Sequence, residues 1–326
     1  MMNRKQLFNL LKILISLGLL IFIFSSIDLP AFFQAVRQAN PWWLLAALVM
    51  MLLGIVIRAW RWQILLKAIG VVVPLTELTN IYFIGFLFNN LLPSGLGGDA
   101  MRMVELSRHT DHLSDAVTSV VVDRFLGLSA LQAIALVALL ADWQAVPIMV
   151  AYFTVAIFVG GLLLGFLLIN RAVYSFLRTL VAPFSQLTTI SLIGKISKTI
   201  HNLAQSFQRY PLEALGRSYL VSFLFNLSLI AMNICVGYGV GASASLTHYA
   251  IFVPITSIVL LIPITFAGLG VREGTYRQLF TQVGVPEEIA VAMSLLVYVI
   301  GNVCTGLMGG GIYLLRGAQN VVSQKG

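Results

Sequence analysis

Charge is scarce in this chain. Only 10% of its 326 residues are Asp, Glu, Lys or Arg, where a soluble domain carries about 25%. With 59% hydrophobic residues and a positive mean hydropathy, the composition excludes an ordinary soluble fold and implies an integral membrane protein. Cysteine is scarcer still. Cys235 and Cys304 both fall inside apolar segments and share no metal-ligand spacing, so neither disulfide nor zinc chemistry is indicated. His109 and His112, near Asp111 and Asp115, match no strong metal motif and read as a polar surface loop. No Gly-x-Ser-x-Gly elbow is present. Gly95-Leu96-Gly97-Gly98-Asp99 lacks the lysine and Ser/Thr of a nucleotide loop. No cofactor is therefore expected.

What the chain does have is apolar length. Runs of roughly 18 to 24 residues fit a hydrocarbon core of about 30 Å. They fall at Leu7–Phe24, Pro41–Ile57, Leu78–Leu92, Val117–Leu140, Val146–Ile169, Tyr219–Val240, Tyr249–Phe266 and Ile289–Leu315, with no soluble domain between them. The first follows Arg4 and Lys5 like a signal sequence, but Ser25-Ser26-Ile27-Asp28 offers no small-x-small cleavage site, so it reads as a retained span. The net charge of +8 fits basic loops on anionic lipid, and nucleic acid is not an expected partner.

The basic residues vote on topology. With all eight segments crossing and the N-terminus cytoplasmic, seven basic residues lie inside and eleven outside, against the positive-inside bias. If the third and seventh segments enter and leave by one side, the count becomes fifteen inside and three outside. Such re-entrant elements are tolerated where they are buried in protein or line a watery cavity.

A repeat supports the same reading. Pro93-Ser94-Gly95-Leu96-Gly97-Gly98-Asp99, with Arg102 behind it, resembles Pro263 followed by Gly268-Leu269-Gly270-Val271-Arg272-Glu273. Gly95 and Gly268 are 173 residues apart, and Gly127 and Gly301, in the spans that follow, 174. Interrupted apolar segments at matching positions in two halves point to a transporter-like binding site. The predicted fold is thus an all-α polytopic membrane protein of about six to eight transmembrane helices, an inverted repeat with two re-entrant hairpins. It forms a single integral-membrane domain (1–326), with repeats over 41–140 and 218–316 and a cytoplasmic connector over 170–217. In that connector Ile193, Ile196, Ile200, Leu203 and Phe207 alternate with Lys195, Lys198, His201, Asn202 and Gln205, an amphipathic helix suited to the leaflet surface or to packing on the bundle.

Glycine turns at a helix start expose N–H groups that favour an anion. With Arg102 on one copy and Arg272 on the other, a lipid phosphate is the expected ligand, contacted by Asn89, Asn90, Gly97, Gly98, Gly268 and Gly270. A charge network of Asp99, Glu105, Asp123, Arg124, Glu273 and Arg277 is expected around it. The alternative is that the arginines only pair with nearby carboxylates, Glu273 and Arg277 standing four apart. Asp123 and Arg124 interrupt the fourth segment, each at a cost of about 2.5–3.5 kcal/mol. As neighbours on a helix they diverge by about 100°, so separate partners are expected: an arginine of a Gly-Leu-Gly element for Asp123, and Asp99 or Glu105 for Arg124. Arg58, Arg61, Trp60 and Trp62 read as interfacial anchors.

Arg61-Trp62-Gln63-Ile64-Leu65-Leu66, Phe88-Asn89-Asn90-Leu91-Leu92-Pro93, Gly97-Gly98-Asp99 with Arg102, Ser119-Val120-Val121-Val122-Asp123-Arg124 and Gly268-Leu269-Gly270-Val271-Arg272-Glu273-Gly274 together resemble the flippase-like transmembrane region of lysylphosphatidylglycerol synthetases, over nearly the whole chain. The resemblance implies translocation of a membrane phospholipid or polyprenyl-linked lipid in a bacterial cytoplasmic (inner) membrane, beside a glycosyltransferase or a lipid-modifying enzyme. Full synthetases carry a soluble aminoacyl-transferring domain; about ten residues follow Leu315 here, so that activity is not expected. Two alternatives stay open. One is a membrane enzyme acting on a lipid phosphate or a polyprenyl-phosphate sugar with Asp99 or Glu273 as base; the other is a non-transporting partner of a glycosyltransferase.

Overall fold

The computed structural model describes residues 4–92, 97–110, 112–170, 173, 175, 204–262 and 264–323. Residues Pro93–Leu96, Asp111, Pro263 and, apart from 173 and 175, the 171–203 part of the connector lie outside the described residues.

Helices and the turns between them account for the described chain, and no strand occurs among those residues. Proline sets many of the starts. It cannot donate from its backbone nitrogen and is tolerated where a helix begins. Pro41 opens α3 (Pro41–Ala68), capped by the Asn40 side chain, which accepts from Trp42 N at 3.0 Å. Pro74, Pro147, Pro211 and Pro286 immediately precede α4 (Leu75–Leu91), α7 (Ile148–Ile169), α8 (Leu212–Gly239) and α11 (Glu287–Tyr298). The chain begins with α1 (Arg4–Ser26) and α2 (Leu29–Arg37), bent by 96° where Asp28 caps α2. The remaining helices are α5 (Gly97–Leu106), α6 (Leu113–Ala141), α9 (Leu246–Val259), α10 (Val271–Thr281) and α12 (Thr305–Ser323). A π-turn over Val299–Cys304 joins α11 to α12, making one membrane-length run Glu287–Arg316.

Five helical runs are long and apolar enough to cross a membrane: α3, α6, α7, α8 and α11–α12, with bent α1–α2 a sixth. The protein is therefore an all-α, multi-pass membrane protein. The third and seventh apolar segments fall short. At 1.5 Å per residue, α4 with 17 residues and α9 with 14 reach about 25 and 21 Å, less than the roughly 30 Å of hydrocarbon. Each is followed by a second short helix that folds back on it. In the first hairpin Gly98 of α5 lies against α4 so closely that a Cβ there would sit 2.6 Å from the Gly85 carbonyl oxygen. Its two ends meet, His109 Nε2 lying 3.9 Å from Glu77. In the second hairpin Phe280, near the end of α10, packs on Phe252 in α9 with ring centroids 5.1 Å apart.

The longest interface joins α3 and α8. They run antiparallel: Asn40 N donates to Gly239 O at 2.8 Å at one end, and Arg61 donates to Ser222 Oγ at 3.2 Å near the other. The hairpins then exchange partners. The first packs through α4 on α12 and on the π-turn before it, where Asn90 Nδ2 donates to Asn302 O at 2.6 Å. The second packs through α9 on α6, where Gln132 donates to Pro254 O at 3.2 Å. The core between them holds Trp62, Leu78, Tyr82, Tyr249, Phe252 and Phe280, all buried. Outside this core α7 packs on α6 and leaves Leu162, Leu163 and Phe166 exposed, a lipid-facing surface. The described end of the connector, including Phe207, packs on α6, its ring 5.1 Å from Phe125.

Candidate functional site

The charged residues of the apolar helices converge inside the bundle. On α3, Arg58, Arg61 and Trp62 recur at helical spacing of three and four, which places them on one face. On α4, Tyr82, Gly85 and Asn89 do the same, and α5 adds Gly98, Asp99 and Arg102. α6 supplies Asp123, Arg124 and Gly127.

Asp123 is the hub. One carboxylate oxygen accepts from Arg61 Nε and Nη2, both at 2.7 Å. The other accepts from the Tyr82 hydroxyl at 2.7 Å and from Arg102 Nη2 at 3.0 Å. Asp123 and Arg61 are 0% and 1% exposed, so such a charge is tolerable only because paired and bidentate donors surround it. Room for Arg61 comes from Gly127, where a Cβ would approach its guanidinium to 2.6 Å. Arg102 lies in the corner of two edge-packed aromatic rings, 3.9 Å from the Tyr82 centroid and 4.3 Å from that of Trp62. It also donates to Asp99 at 3.2 Å. Arg124 pairs with the other oxygen of Asp99. The divergence expected of two helix neighbours holds: Asp123 takes Arg102, and Arg124 takes Asp99.

The second hairpin is built differently. Glu273 turns back to its own helix start, accepting from Gly270 N at 2.5 Å, with Ser294 Oγ at 3.5 Å. Gly268 and Gly270 both hold positive φ, +77° and +84°, which only glycine adopts without strain. Arg272 donates to Ala267 O at 3.0 Å and lies 4.6 Å over the Tyr298 ring. It is 7% exposed, its Nη1 has no hydrogen-bond partner, and no carboxylate reaches it within 4 Å among the described residues. Arg58 is similar, packed over the Tyr82 and Phe225 rings at 4.9 Å with its buried Nε unpartnered.

One cavity of about 380 Å³ joins these parts. Among the expected ligand residues, Arg102, Arg272, Asn89, Gly98 and Gly268 line it, together with Asp99 and Arg124. Others lie elsewhere. Asn90 is spent on Asn302 O, Gly97 sits against Phe88 and Leu92, and Gly270 faces Leu19 of α1. Glu105 belongs to a separate cluster, 3.2 Å from Arg108 and 3.8 Å from Arg316. Arg277 bonds Glu287 at 2.5 Å and Ser26 at 2.8 Å rather than Glu273.

The reading of Arg61 and Trp62 as interfacial anchors is corrected by the structure. Both are buried at the centre of the network, and Trp62 Nε1 donates to Ser119 Oγ at 3.1 Å; Trp60 alone is 44% exposed. The reason is length. α3 continues for 28 residues, about 42 Å, so the arginines that look terminal in an apolar plot remain inside the packed bundle. Arg58 at i and Arg61 at i+3 carried a same-face signal. Tyr82 and the cavity-lining Asn226 carried none, being ordinary residues of apolar helices.

The family model of the lysylphosphatidylglycerol synthase transmembrane region matches residues 9–309. A UPF0104 membrane protein of Pyrococcus horikoshii is 22% identical over 96% of this chain and 98% of its own length. Two UPF0104 membrane proteins of Methanothermobacter thermautotrophicus are 22% and 24% identical, each over 85% of this chain and 84% and 86% of their own lengths. These relatives are archaeal. With the match spanning α3 to α11 and every residue lining the cavity, the chain belongs to the family of the lysylphosphatidylglycerol synthase transmembrane region.

Proposed function

We propose that the protein moves the phosphate-bearing head group of a phospholipid or polyprenyl-linked lipid between the leaflets of a cytoplasmic membrane. The observation that carries this reading is the shared cavity. Five arginines line it (Arg58, Arg61, Arg102, Arg124 and Arg272), and the carboxylates nearest them are Asp99, Asp123 and, beside Arg272, Glu273. Burying a guanidinium without a partner costs several kcal/mol on the order of other unpaired buried ions. Arg272 and Arg58 each keep one buried nitrogen unpartnered and have no carboxylate within 4 Å among the described residues, and a phosphate entering the cavity supplies that partner.

The antiparallel pairing of α3 with α8 and the reciprocal docking of the hairpins, α4 on α12 and α9 on α6, support two inverted repeats over 41–140 and 218–316. In such proteins the substrate site lies between the repeats, which rock about it. Both hairpins reach the cavity, so relative motion of the halves exposes one bound head group to either side. Transport is passive or ion-coupled on this reading, with the N-terminus cytoplasmic.

An enzymatic reading needs a free general base. Asp99 is held by Arg102 and Arg124, and Glu273 by the Gly270 amide, which disfavours both for that role.

The test is lipid movement in proteoliposomes, with fluorescent phospholipids and an external bleaching reagent. Wild type accelerates loss of the inner-leaflet signal, and folded Arg272→Gln and Arg58→Gln do not. Acceleration that survives both variants removes the cavity from the mechanism. Chemical turnover of a labelled lipid by the purified protein overturns transport in favour of catalysis.

A further inference from the structure

The two hairpins start alike. α4 opens with Leu75-Thr76-Glu77 after Pro74, and α9 with Leu246-Thr247-His248 after Ser245. In each, the third residue ties the hairpin to the span it packs on. Glu77 accepts from Arg316 of α12 at 2.7 Å, and His248 Nε2 meets the carbonyl of Ala145, in the turn after α6, at 2.9 Å. The two ties lie at opposite faces of the protein, because the helix starts follow α3 and α8, which run antiparallel.

A histidine stands at each tie, and the partners set its protons differently. His248 Nε2 faces a carbonyl, which can only accept, so it carries the hydrogen. Its Nδ1 accepts from Ser245 N at 3.1 Å and so carries none. This is neutral imidazole, closing the capping box of α9. A second proton sets two N–H groups against each other and puts positive charge at a helix start, where the dipole opposes it. At the other face, His109 Nδ1 meets the Glu105 carbonyl at 3.3 Å, and Nε2 lies 3.9 Å from the Glu77 carboxylate that holds Arg316. Both partners are acceptors, which the imidazolium serves. Of the elements packed on α9, α6 brings Asp142 in the turn beyond its end, α8 brings Tyr238, and α10 brings Arg277, already paired with Glu287. No carboxylate lies within 4 Å of the His248 ring among the described residues; the Phe252 ring stacks on it at 5.7 Å.

We propose that His248 is a pH-sensitive latch. Neutral, it pins the start of the second hairpin to α6; protonated, it lets that start go, while the Glu77–Arg316 tie at the opposite face holds. Acid thereby shifts the population toward opening at the face of the second hairpin. The latch itself does not depend on what the cavity carries.

The experiment is fluorescence of bimane attached at Leu246→Cys in a Cys235→Ser, Cys304→Ser background, with the full chain in lipid nanodiscs. Leu246 is exposed beside the latch, and the exposed Trp143, in the turn that holds Ala145, is the quencher. Emission is compared at about pH 7.5 and about pH 5.5, which span the range in which histidine changes charge. The ratio of released to latched protein is expected to rise about threefold or more in acid, the size of one neutral hydrogen bond lost. His248→Gln, which keeps a donor for Ala145 and does not titrate, is expected to abolish the rise, and His109→Gln to leave it. Should His248→Gln fail to fold, Ser245→Pro decides. It removes the N–H that opposes the second proton, at a φ of −74° that proline adopts and with the residue type that Pro74 supplies in the first hairpin. The rise is then expected to shrink. Unchanged emission in acid, a rise that survives either variant, or one that persists in Trp143→Phe overturns the latch. A fall in acid overturns it too, since the imidazolium would then hold Ala145 more tightly.

Discussion

Arg61 and Asp123, 62 residues apart in the chain, meet through two nitrogen–oxygen contacts of 2.7 Å with both side chains out of solvent. The pair joins α3 to α6 and, through the second carboxylate oxygen, brings Arg102 of the first hairpin to the same point. It is the joint by which a re-entrant element is fixed to the spans around it.

Breaking that joint is expected to be severe. Asp123→Ala leaves Arg61 and Arg102 facing each other with no carboxylate between them, and loss of one partner of a buried ion pair costs about 3–5 kcal/mol. Thermal unfolding of the purified protein in detergent should show a large drop in Tm. Arg61→Lys should also destabilise, since an ammonium cannot reproduce the guanidinium fork. A wild-type Tm for Asp123→Ala contradicts the assignment of Asp123 as hub.

The first hairpin depends on backbone contact at Gly98. Gly98→Val places branched carbon where a Cβ alone already sits 2.6 Å from the Gly85 carbonyl, and overpacking of this kind costs about 1–3 kcal/mol. Gly160→Ala on α7, where a Cβ meets nothing within 4 Å, is the matched control. A lowered Tm is expected for the first and none for the second.

Thiol labelling checks the hairpins against the membrane. In a Cys235→Ser, Cys304→Ser background, single cysteines at exposed Val72 and His112, which flank the first hairpin, should react with an impermeant maleimide from one face. Cysteines at exposed Ser243 and Gln282, flanking the second, should react from the other. Labelling of positions 72 and 112 from opposite faces would mean that this segment crosses, and the re-entrant reading fails.

A milder effect is expected at the end of α12. Arg316 donates to Glu77 at 2.7 Å with both side chains about a quarter exposed, 24% and 25%. Partly solvated pairs contribute about 0.2–1 kcal/mol. Arg316→Ala should therefore lower Tm slightly, with a smaller difference at high salt. A loss comparable to that of Asp123→Ala places Arg316 in the buried network instead.

Composition and apolar run length alone determine that this is a helical, multi-pass membrane protein, because hydrocarbon admits only segments that satisfy their own backbone. The repeated Gly-Leu-Gly elements also locate the two short helix pairs, and six of the eight apolar segments coincide with membrane-length runs or the bent first pair. Neighbour geometry on a helix separates the partners of Asp123 and Arg124 before any contact is seen. Which charges meet is another matter. Arg61 and Asp123 reach one another across 62 residues because α3 and α6 pack side by side. Arg272 forms no ion pair among the described residues because Glu273, its neighbour, turns to the Gly270 amide. Sequence spacing cannot express either event: side chains on different helices are brought together by packing, and only packing decides which cation is left without a carboxylate.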